Sequence, residues 1–482
     1  MPIKIQHHYL NYVSLFAIVL LSRLPFLAAG YGVEEDSWGM INALQRMHAN
    51  GVFEISRFPG HPVLELVYYF LPGHSYFIFN FCTALISSIG FVFFAAALKE
   101  LGFKNFFWPS IALAFIPVVY IKCTDTMDFT WGLGFMLISF YCIVKHKWWP
   151  AGLFLGLAIG ARFTSALFIV PLIFLFFDYR IKGAYKSLFI FLISTVVVAL
   201  FCFLQTILNY NSAVYVVPFL FGYPDAIKTL YKLSIGVFGL TGLVVITFLL
   251  LKTFVFKGPA KKQFVKYNKP LRLLPSFKIK LFMWTGLLFF SAIFFWQPHK
   301  SAYLIPALPF VVMLIEFYSR QRYSILFALG MTVSCFFVGI NLQDDFRGAK
   351  PSALAKTISI ASQKITVDLL NGPVLSNHSQ RIQKMNFANE VIQKVQSINQ
   401  PTLIVAGWWI NEIEILSGIK KSVNIRYCYF ADEAELKSEK QKGVFIYYLP
   451  QQEDVNDLRW QKKFTKQYAQ PLFKDNGQHF LY

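Results

Sequence analysis

The chain is poor in charge, in acids above all, and in paired cysteines. Only 15% of its 482 residues are Asp, Glu, Lys or Arg, against about 25% in a soluble globular protein. A soluble enzyme and a disordered chain are both excluded by that scarcity together with 56% hydrophobic residues. The six cysteines form no CxxC: Cys82, Cys123, Cys142, Cys202 and Cys335 lie in or beside apolar runs and Cys428 stands alone. Neither a disulfide-built scaffold nor a zinc site is written in them. No GxGxxG or GxxxxGK[ST] occurs at a strand-to-helix turn, so dinucleotide or nucleotide binding has no support. There is also no internal repeat of the kind that many transporters carry.

What is there is apolar sequence, 18% of it aromatic, with a mean hydropathy of +0.49. Runs long enough to cross a bilayer, at ~20 residues each, recur near 10–29, 74–98, 106–122, 129–144, 148–163, 164–177, 187–208, 233–256, 281–297, 302–318 and 323–341. Alternation then puts Lys99, Lys104, Lys145, Lys147, Arg180, Lys182, Lys186, the acid-free basic stretch 257–280, Arg320 and Arg322 on one side. That satisfies the positive-inside rule and accounts for the net charge of +20 without nucleic acid. The opposite side receives Glu34, Glu35, Asp36, Glu54, Glu65, Asp125 and Asp128. The parity hangs on a break at Arg162, because a single kinked helix over 148–177 would invert every later segment. The expected protein is α-helical and polytopic, with about eleven spans in residues 1–341 and a first external loop at about 30–73. The first run, interrupted by Arg23 and Pro25, reads as a retained helix. A bacterial inner membrane with a cytoplasmic N-terminus is the expected location.

Residues 342–482 form a polar block and are expected outside, in the periplasm. Strand-like runs Pro373–Ser376, Thr402–Ala406, Val423–Phe430 and Gly443–Leu449 alternate there with helical patterns at 380–399, 410–418, 431–441 and 453–468. That rhythm predicts a small α/β domain with a parallel sheet. Trp408-Trp409, directly after a strand, are expected in its core.

The outward segments hold the candidate chemistry. The first loop is too long for a passive connection, and it opens on Glu34-Glu35-Asp36. Trp38, Ile41, Leu44 and His48 follow at helical spacing, predicting an amphipathic helix along the membrane surface with Asp36 at its N-terminus. These acids serve either as an N-cap with solvated neighbours or as catalytic groups. Ser56-Arg57-Phe58-Pro59-Gly60-His61-Pro62 then holds one Arg and one His in a stretch stiffened by two prolines, and a cation placed there suits an anionic headgroup. Asp125 and Asp128, three residues apart in the next turn, would share a helical face or cap a helix. Arg162 interrupts an apolar stretch and is either functional or snorkels to the surface. His299-Lys300 make a tight turn before Tyr303-Leu304-Ile305-Pro306-Ala307-Leu308-Pro309, whose prolines leave carbonyls free.

In their order these segments resemble the GT-C class of polytopic glycosyltransferases, related to the mannosyltransferase and aminoarabinose-transferase-like families. The resemblance covers roughly residues 10–345 and rests on Glu-Glu-Asp-Ser-Trp, Ser-Arg-Phe-Pro-Gly-His-Pro, Thr-Met-Asp-Phe-Thr-Trp, Gly-Leu-Ala-Ile-Gly-Ala-Arg-Phe-Thr-Ser and His-Lys-x-x-Tyr-Leu-Ile-Pro-x-x-Pro. It implies a polyprenyl-phosphate-linked sugar as donor, a glycan, lipid or protein as acceptor, and a catalytic acid in the first external loop. Asp36 is the closest match by position, with Glu35 its rival and Glu34 third; the Glu-Glu-Asp triplet departs from the commoner Asp-Glu and leaves the choice open. Lys300 stands where an Arg often precedes Tyr-x-x-Pro.

The implied mechanism is inverting transfer. One carboxylate deprotonates an acceptor hydroxyl, while Arg57, Arg162, His299, Lys300 and Tyr303 surround the departing lipid phosphate. His61, Asp125 and Asp128 are acceptor-side or auxiliary. No metal ligand set is specified: acids can gather Mg²⁺ or Mn²⁺, but an acid acting as base needs none. The competing readings are a transporter or flippase of lipid-linked sugars, a polysaccharide ligase or polymerase, and a plain anchor for the tail.

Overall fold

In a computed structural model the described residues are 2–71, 73, 75–176, 183–209, 226–254, 276–319, 321–342, 352–360, 363–417, 424–449 and 467–473. Most of the basic stretch 257–280, Arg180, Lys182, Arg320 and nearly all of the helix expected over 453–468 lie outside them.

Among the described residues the apolar part folds as helices: α1 (Pro2–Arg23), α2 (Glu35–Asn50), α3 (Pro62–Phe70), α4 (Tyr76–Glu100), α5 (Phe107–Ala114), α6 (Pro117–Lys122), α7 (Phe129–Val144), α8 (Trp148–Ala161), α9 (Ile169–Phe176), α10 (Ala184–Asn209), α11 (Ala226–Leu233), α12 (Ile235–Phe254), α13 (Ser276–Trp296), α14 (Leu308–Tyr318) and α15 (Gln321–Phe336). Six helical segments among the described residues are long and apolar enough to cross a membrane: Tyr9–Phe26, Tyr76–Glu100, Ala184–Asn209, Ile235–Lys252, Phe277–Trp296 and Ser301–Tyr318. Phe129–Val144, Trp148–Ala161, Phe163–Phe176 and Arg322–Phe336 are shorter apolar helices.

The interruptions have local causes. Pro117 forces Ile116 into an extended conformation and so divides α5 from α6. At Arg162 the backbone is also extended, and a 3-10 stretch, Phe163–Phe168, precedes α9; the expected break is present. Pro306 and Pro309 make Ser301–Ala307 a 3-10 turn leading into α14. Along α8, Gly152, Gly156 and Gly160 line one face at four-residue spacing, and a Cβ on Gly156 or Gly160 would stand 2.6 Å from Val198 Cβ or 2.8 Å from Cys202 Cβ. Small residues thus let α8 and α10 approach closely, while α10 turns Phe189, Val197, Leu200 and Phe201 outward, a surface suited to lipid.

The tail departs from expectation in two places. Directly after α15, an antiparallel sheet of order β1-β3-β2 is built from β1 (Gly339–Leu342), β2 (Ala355–Ile360) and β3 (Gln363–Asp368). The expected strand Pro373–Ser376 is instead the first turn of a long helix, α16 (Pro373–Gln396): Pro373 sits at the first helical position after Gly372, where its missing N–H has no cost. The parallel sheet is present, in the order β5-β4-β6-β7, from β4 (Thr402–Val405), β5 (Ile425–Cys428), β6 (Phe445–Tyr448) and β7 (Gln470–Pro471). Helices α17 (Ile410–Ser417) and α18 (Glu433–Gln441) connect its strands. Trp409 is buried beside Phe387, as expected of a core residue.

The tail docks on the loop that carries the acids. Arg381 of α16 is 1% exposed and donates to the carbonyls of Phe26 (3.2 Å) and Gly30 while pairing with Asp125 (3.2 Å). Gly30, at φ +106°, turns its carbonyl inward to meet both Arg381 and the Asn80 amide. Lys384 donates to the Val33 carbonyl at 2.7 Å, and Asn42 of α2 donates to both Asn411 and Glu414 of α17 at 2.9 Å. Breaking a buried pair strands its partner. Arg381→Met is therefore expected to destabilise the protein by about 3–5 kcal/mol, read as a lower unfolding temperature in detergent; an unchanged temperature would contradict this docking.

Candidate active site

Helix α2 begins with Glu34 as its N-cap residue rather than Asp36. Its apolar face, Trp38, Ile41 and Leu44, is buried against protein, not laid on the bilayer as expected; Trp38 also donates to the Gly32 carbonyl at 3.0 Å, fixing the loop before it. The three acids therefore leave one rigid turn in different directions.

Two of them enter a network of alternating charge. Lys300 lies between Glu34 (2.6 Å) and Asp36 (2.7 Å). Asp36 then meets Arg57 at 2.9 Å, Arg57 meets Asp128, and Asp128 meets Arg162. In the other direction Glu34 meets Lys122, Lys122 meets Asp125 at 3.2 Å, and Asp125 meets Arg381. The row reads Arg162, Asp128, Arg57, Asp36, Lys300, Glu34, Lys122, Asp125, Arg381: five cations and four carboxylates drawn from the N-terminus of α2, the loop before α3, the ends of α6 and α8, the turns before α7 and α14, and α16. Arg381 at one end is buried, and Asp125 and Asp128 are fully enclosed. The middle of the row opens to the surface, Asp36 and Lys300 being 34% and 32% exposed.

Local packing sets each cation. Both Ser56 N–H and Ser56 Oγ donate to the buried Glu65 carboxylate, at 2.8 and 2.7 Å, anchoring the residue before Arg57. The Arg57 Nε–H donates to His61 Nε2 at 2.9 Å, and the other ring nitrogen of His61 meets the Ala161 carbonyl at 2.9 Å. His61 is thus a buried brace behind Arg57. Arg162 lies 4.0 Å over the Phe129 ring and 5.5 Å over that of Tyr303, so the turn bearing Lys300 also steadies Arg162.

Charge state follows geometry. Burial would raise the Glu34 and Asp36 carboxyls, but Lys122 and Lys300 for the first, and Lys300 and Arg57 for the second, hold both below the usual carboxylate range. Glu35 behaves differently. Burial, Glu412 and Asp36 push it up to about 8; among the described residues it makes no ion pair, and it accepts a hydrogen bond from the Asn411 side-chain amide at 3.2 Å. His299, adjacent in sequence to Lys300, is lowered by burial and by Lys232 and Lys300. Asp125 and Asp128 leave a non-helical turn toward separate cations instead of sharing a helical face. No group of three or more His, Cys, Asp or Glu suited to a metal ion occurs among the described residues, since these acids face Lys and Arg.

With this geometry in place, the similarity to solved structures is informative. ArnT from Cupriavidus metallidurans bound to undecaprenyl phosphate aligns with a TM-score of 0.52 at 12% identity, over 95% of this chain and 89% of that one. The chain has the ArnT fold. ArnT from the same organism in the apo state aligns with a TM-score of 0.49 at 11% identity, over 96% and 90% of the two chains. No family model and no curated protein sequence matches. A polytopic helical fold like that of ArnT, as expected from the order of the outward segments, is therefore present.

Five residues around the site escaped sequence reasoning. Lys122 was legible as a lone lysine among outward-facing acids, an exception to the charge bias. Arg381, Lys384, Asn411 and Glu412 carry no local signal, because their importance comes from docking of the tail on the ArnT-like helical part.

The raised Glu35 carboxyl has a consequence for stability. The folded chain keeps a proton that the unfolded chain releases above the ordinary carboxylate value of 4.5, so this group lowers stability as pH climbs from there to about 8. Glu35→Gln is expected to flatten the fall in unfolding temperature across that interval. Equal slopes in the two proteins would contradict a raised carboxyl.

Proposed function

We propose that this protein is a membrane glycosyltransferase that moves a sugar from a polyprenyl-phosphate donor to an acceptor hydroxyl at the outer face of the membrane, with inversion and with Glu35 as general base. The supporting observation is the open middle of the charge row: Arg57 and Lys300, both partly exposed, stand between carboxylates that an incoming phosphate can displace. Five cations against four carboxylates leave the row one positive charge, which matches the single negative charge of a phosphodiester donor. As the bond from the anomeric carbon to the phosphate oxygen breaks, a second charge develops on the leaving polyprenyl phosphate. Arg57, Lys300 and, through Tyr303 and Asp128, Arg162 are arranged to meet it.

The acceptor oxygen attacks from the opposite face and passes its proton to a carboxylate. Glu34 and Asp36 are poor bases while they hold Lys and Arg. Glu35, with a pKa near the working pH, suits that task, and it faces the tail, the side from which an acceptor on the outer surface arrives. The undecaprenyl phosphate bound by ArnT supports a polyprenyl phosphate as the carrier here. The external placement of the tail and its role as a domain of its own, 342–482, belong to the same proposal; β1 (Gly339–Leu342), which pairs with β3, begins before that boundary.

The test is mass spectrometry of lipid-linked sugars and surface glycans in cells lacking the gene and supplied with each variant. Glu35→Gln is expected to cut transfer roughly 10²–10⁴-fold and Lys300→Ala by about tenfold or more, with the lipid-linked donor accumulating. Lys300→Arg should restore much of it, because charge is what the phosphate needs. Normal glycans with Glu35→Gln and loss with Asp36→Asn would move the base to Asp36. Normal glycans with every variant would remove the reading.

A further inference from the structure

The chemistry proposed for Glu35 has an unassigned neighbour. Helix α17, from the C-terminal part, lies against α2 at the position of the acid. Asn411 donates one amide hydrogen to Glu35 Oε1 at 3.2 Å, while its own carbonyl oxygen accepts from Asn42 Nδ2 at 2.9 Å. Its orientation is thereby set from both sides. Glu412, the next residue, is fully buried and uses one carboxylate oxygen to accept from Lys384 at 2.7 Å; the second, Oε2, is buried without a hydrogen-bond partner among the described residues. Lys384 is in turn fixed by the Val33 carbonyl, one residue before the acidic triplet, and by the Trp409 ring at 5.2 Å.

We infer that Asn411 and Glu412 are positioning residues for the base, so that the tail completes the active site and its docking decides whether Glu35 is competent. The inference rests on Glu35 being the base. An amide hydrogen on Oε1 stabilises the ionised carboxylate and aims its other oxygen. The Glu412 charge works in the opposite sense, favouring the protonated form. Paired in this way, the two residues hold Glu35 between a spent and a loaded state, and undocking of α17 would remove both influences together. Among the described residues the charged and titratable groups facing Glu35 include Asp36 on its own helix, Lys300 from the turn before α14, Lys384 from α16, Glu412 from α17 and Tyr429 after β5; Glu412 and Asp36 push its proton affinity upward, and Lys384 and Lys300 lower it.

The two residues are distinguishable because their removal acts in opposite directions. The full-length protein in lipid nanodiscs is titrated by infrared difference spectroscopy, which follows the protonated-carboxyl band that Glu35→Gln abolishes and needs no substrate. Glu412→Gln is expected to lower the midpoint of that band by about one pH unit. Asn411→Leu is expected to raise it, with Asn411→Ala as the smaller change should Leu not fold. Transfer in cells, measured by donor accumulation, should fall in both. A residue that only holds the fold together would move both midpoints alike or neither. Midpoints unchanged in Glu412→Gln and Asn411→Ala, with Glu35→Gln still inactive in cells, would overturn the inference while leaving Glu35 as base; an active Glu35→Gln would overturn the base itself.

Discussion

A row of nine side chains with alternating charge, from Arg162 through Asp36 and Lys300 to Arg381, is the constraint on which the rest of the structure depends. Each buried carboxylate in it is affordable only because a cation touches it on either side, since an isolated buried charge costs several kcal/mol or more. The members come from seven separate places in the chain. The row therefore fixes the relative positions of the first loop, four helix ends or turns of the apolar part, and α16 of the tail. Removing one member strands its neighbours, which makes the network a specifier of geometry as much as a source of stability.

The helical scaffold serves that arrangement. Close packing of α8 on α10 through glycines and the helix break at Arg162 bring one cation to the row. The prolines before α14 shape the turn that carries Lys300 and Tyr303. Asp125, Asp128 and Arg381 are buried, while the centre of the row reaches the surface at Arg57, Asp36, Lys300 and Glu34. In the proposed reaction a lipid-linked phosphate would meet Arg57 and Lys300 at that opening, each partly exposed and already held by carboxylates. Glu35 leaves the same turn toward α17, so that in the proposed mechanism proton removal and phosphate binding would be separated by a single residue of sequence.

Much of this was legible from the sequence because membranes impose simple rules. Long apolar runs and a one-sided distribution of Lys and Arg marked the helices, and the order of Glu34–Asp36, Arg57, Asp128, Arg162 and Lys300 pointed to the residues that the structure gathers. Two things were not legible. The antiparallel hairpin β2–β3 does alternate polar with apolar residues, in Thr357–Ile360 and Lys364–Asp368, but it stands outside the βαβ rhythm expected of the tail; Pro373–Ser376 has strand-like composition although its proline opens α16. The contribution of Arg381, Asn411 and Glu412 depends on how the tail docks, a long-range fact that no local pattern encodes. The choice among the three adjacent acids was likewise undecidable from spacing: what separates them is that Glu34 and Asp36 each hold two cations while Glu35 meets an amide.

The most direct test of the account is a structure of the protein in nanodiscs with undecaprenyl phosphate added. The account predicts the phosphate at the exposed centre of the row, within hydrogen-bond distance of Arg57 and Lys300, with Asp36 displaced from at least one of them and Glu35 still facing α17. A phosphate bound elsewhere on the protein, with the ion pairs of Asp36 and Lys300 intact, would contradict it.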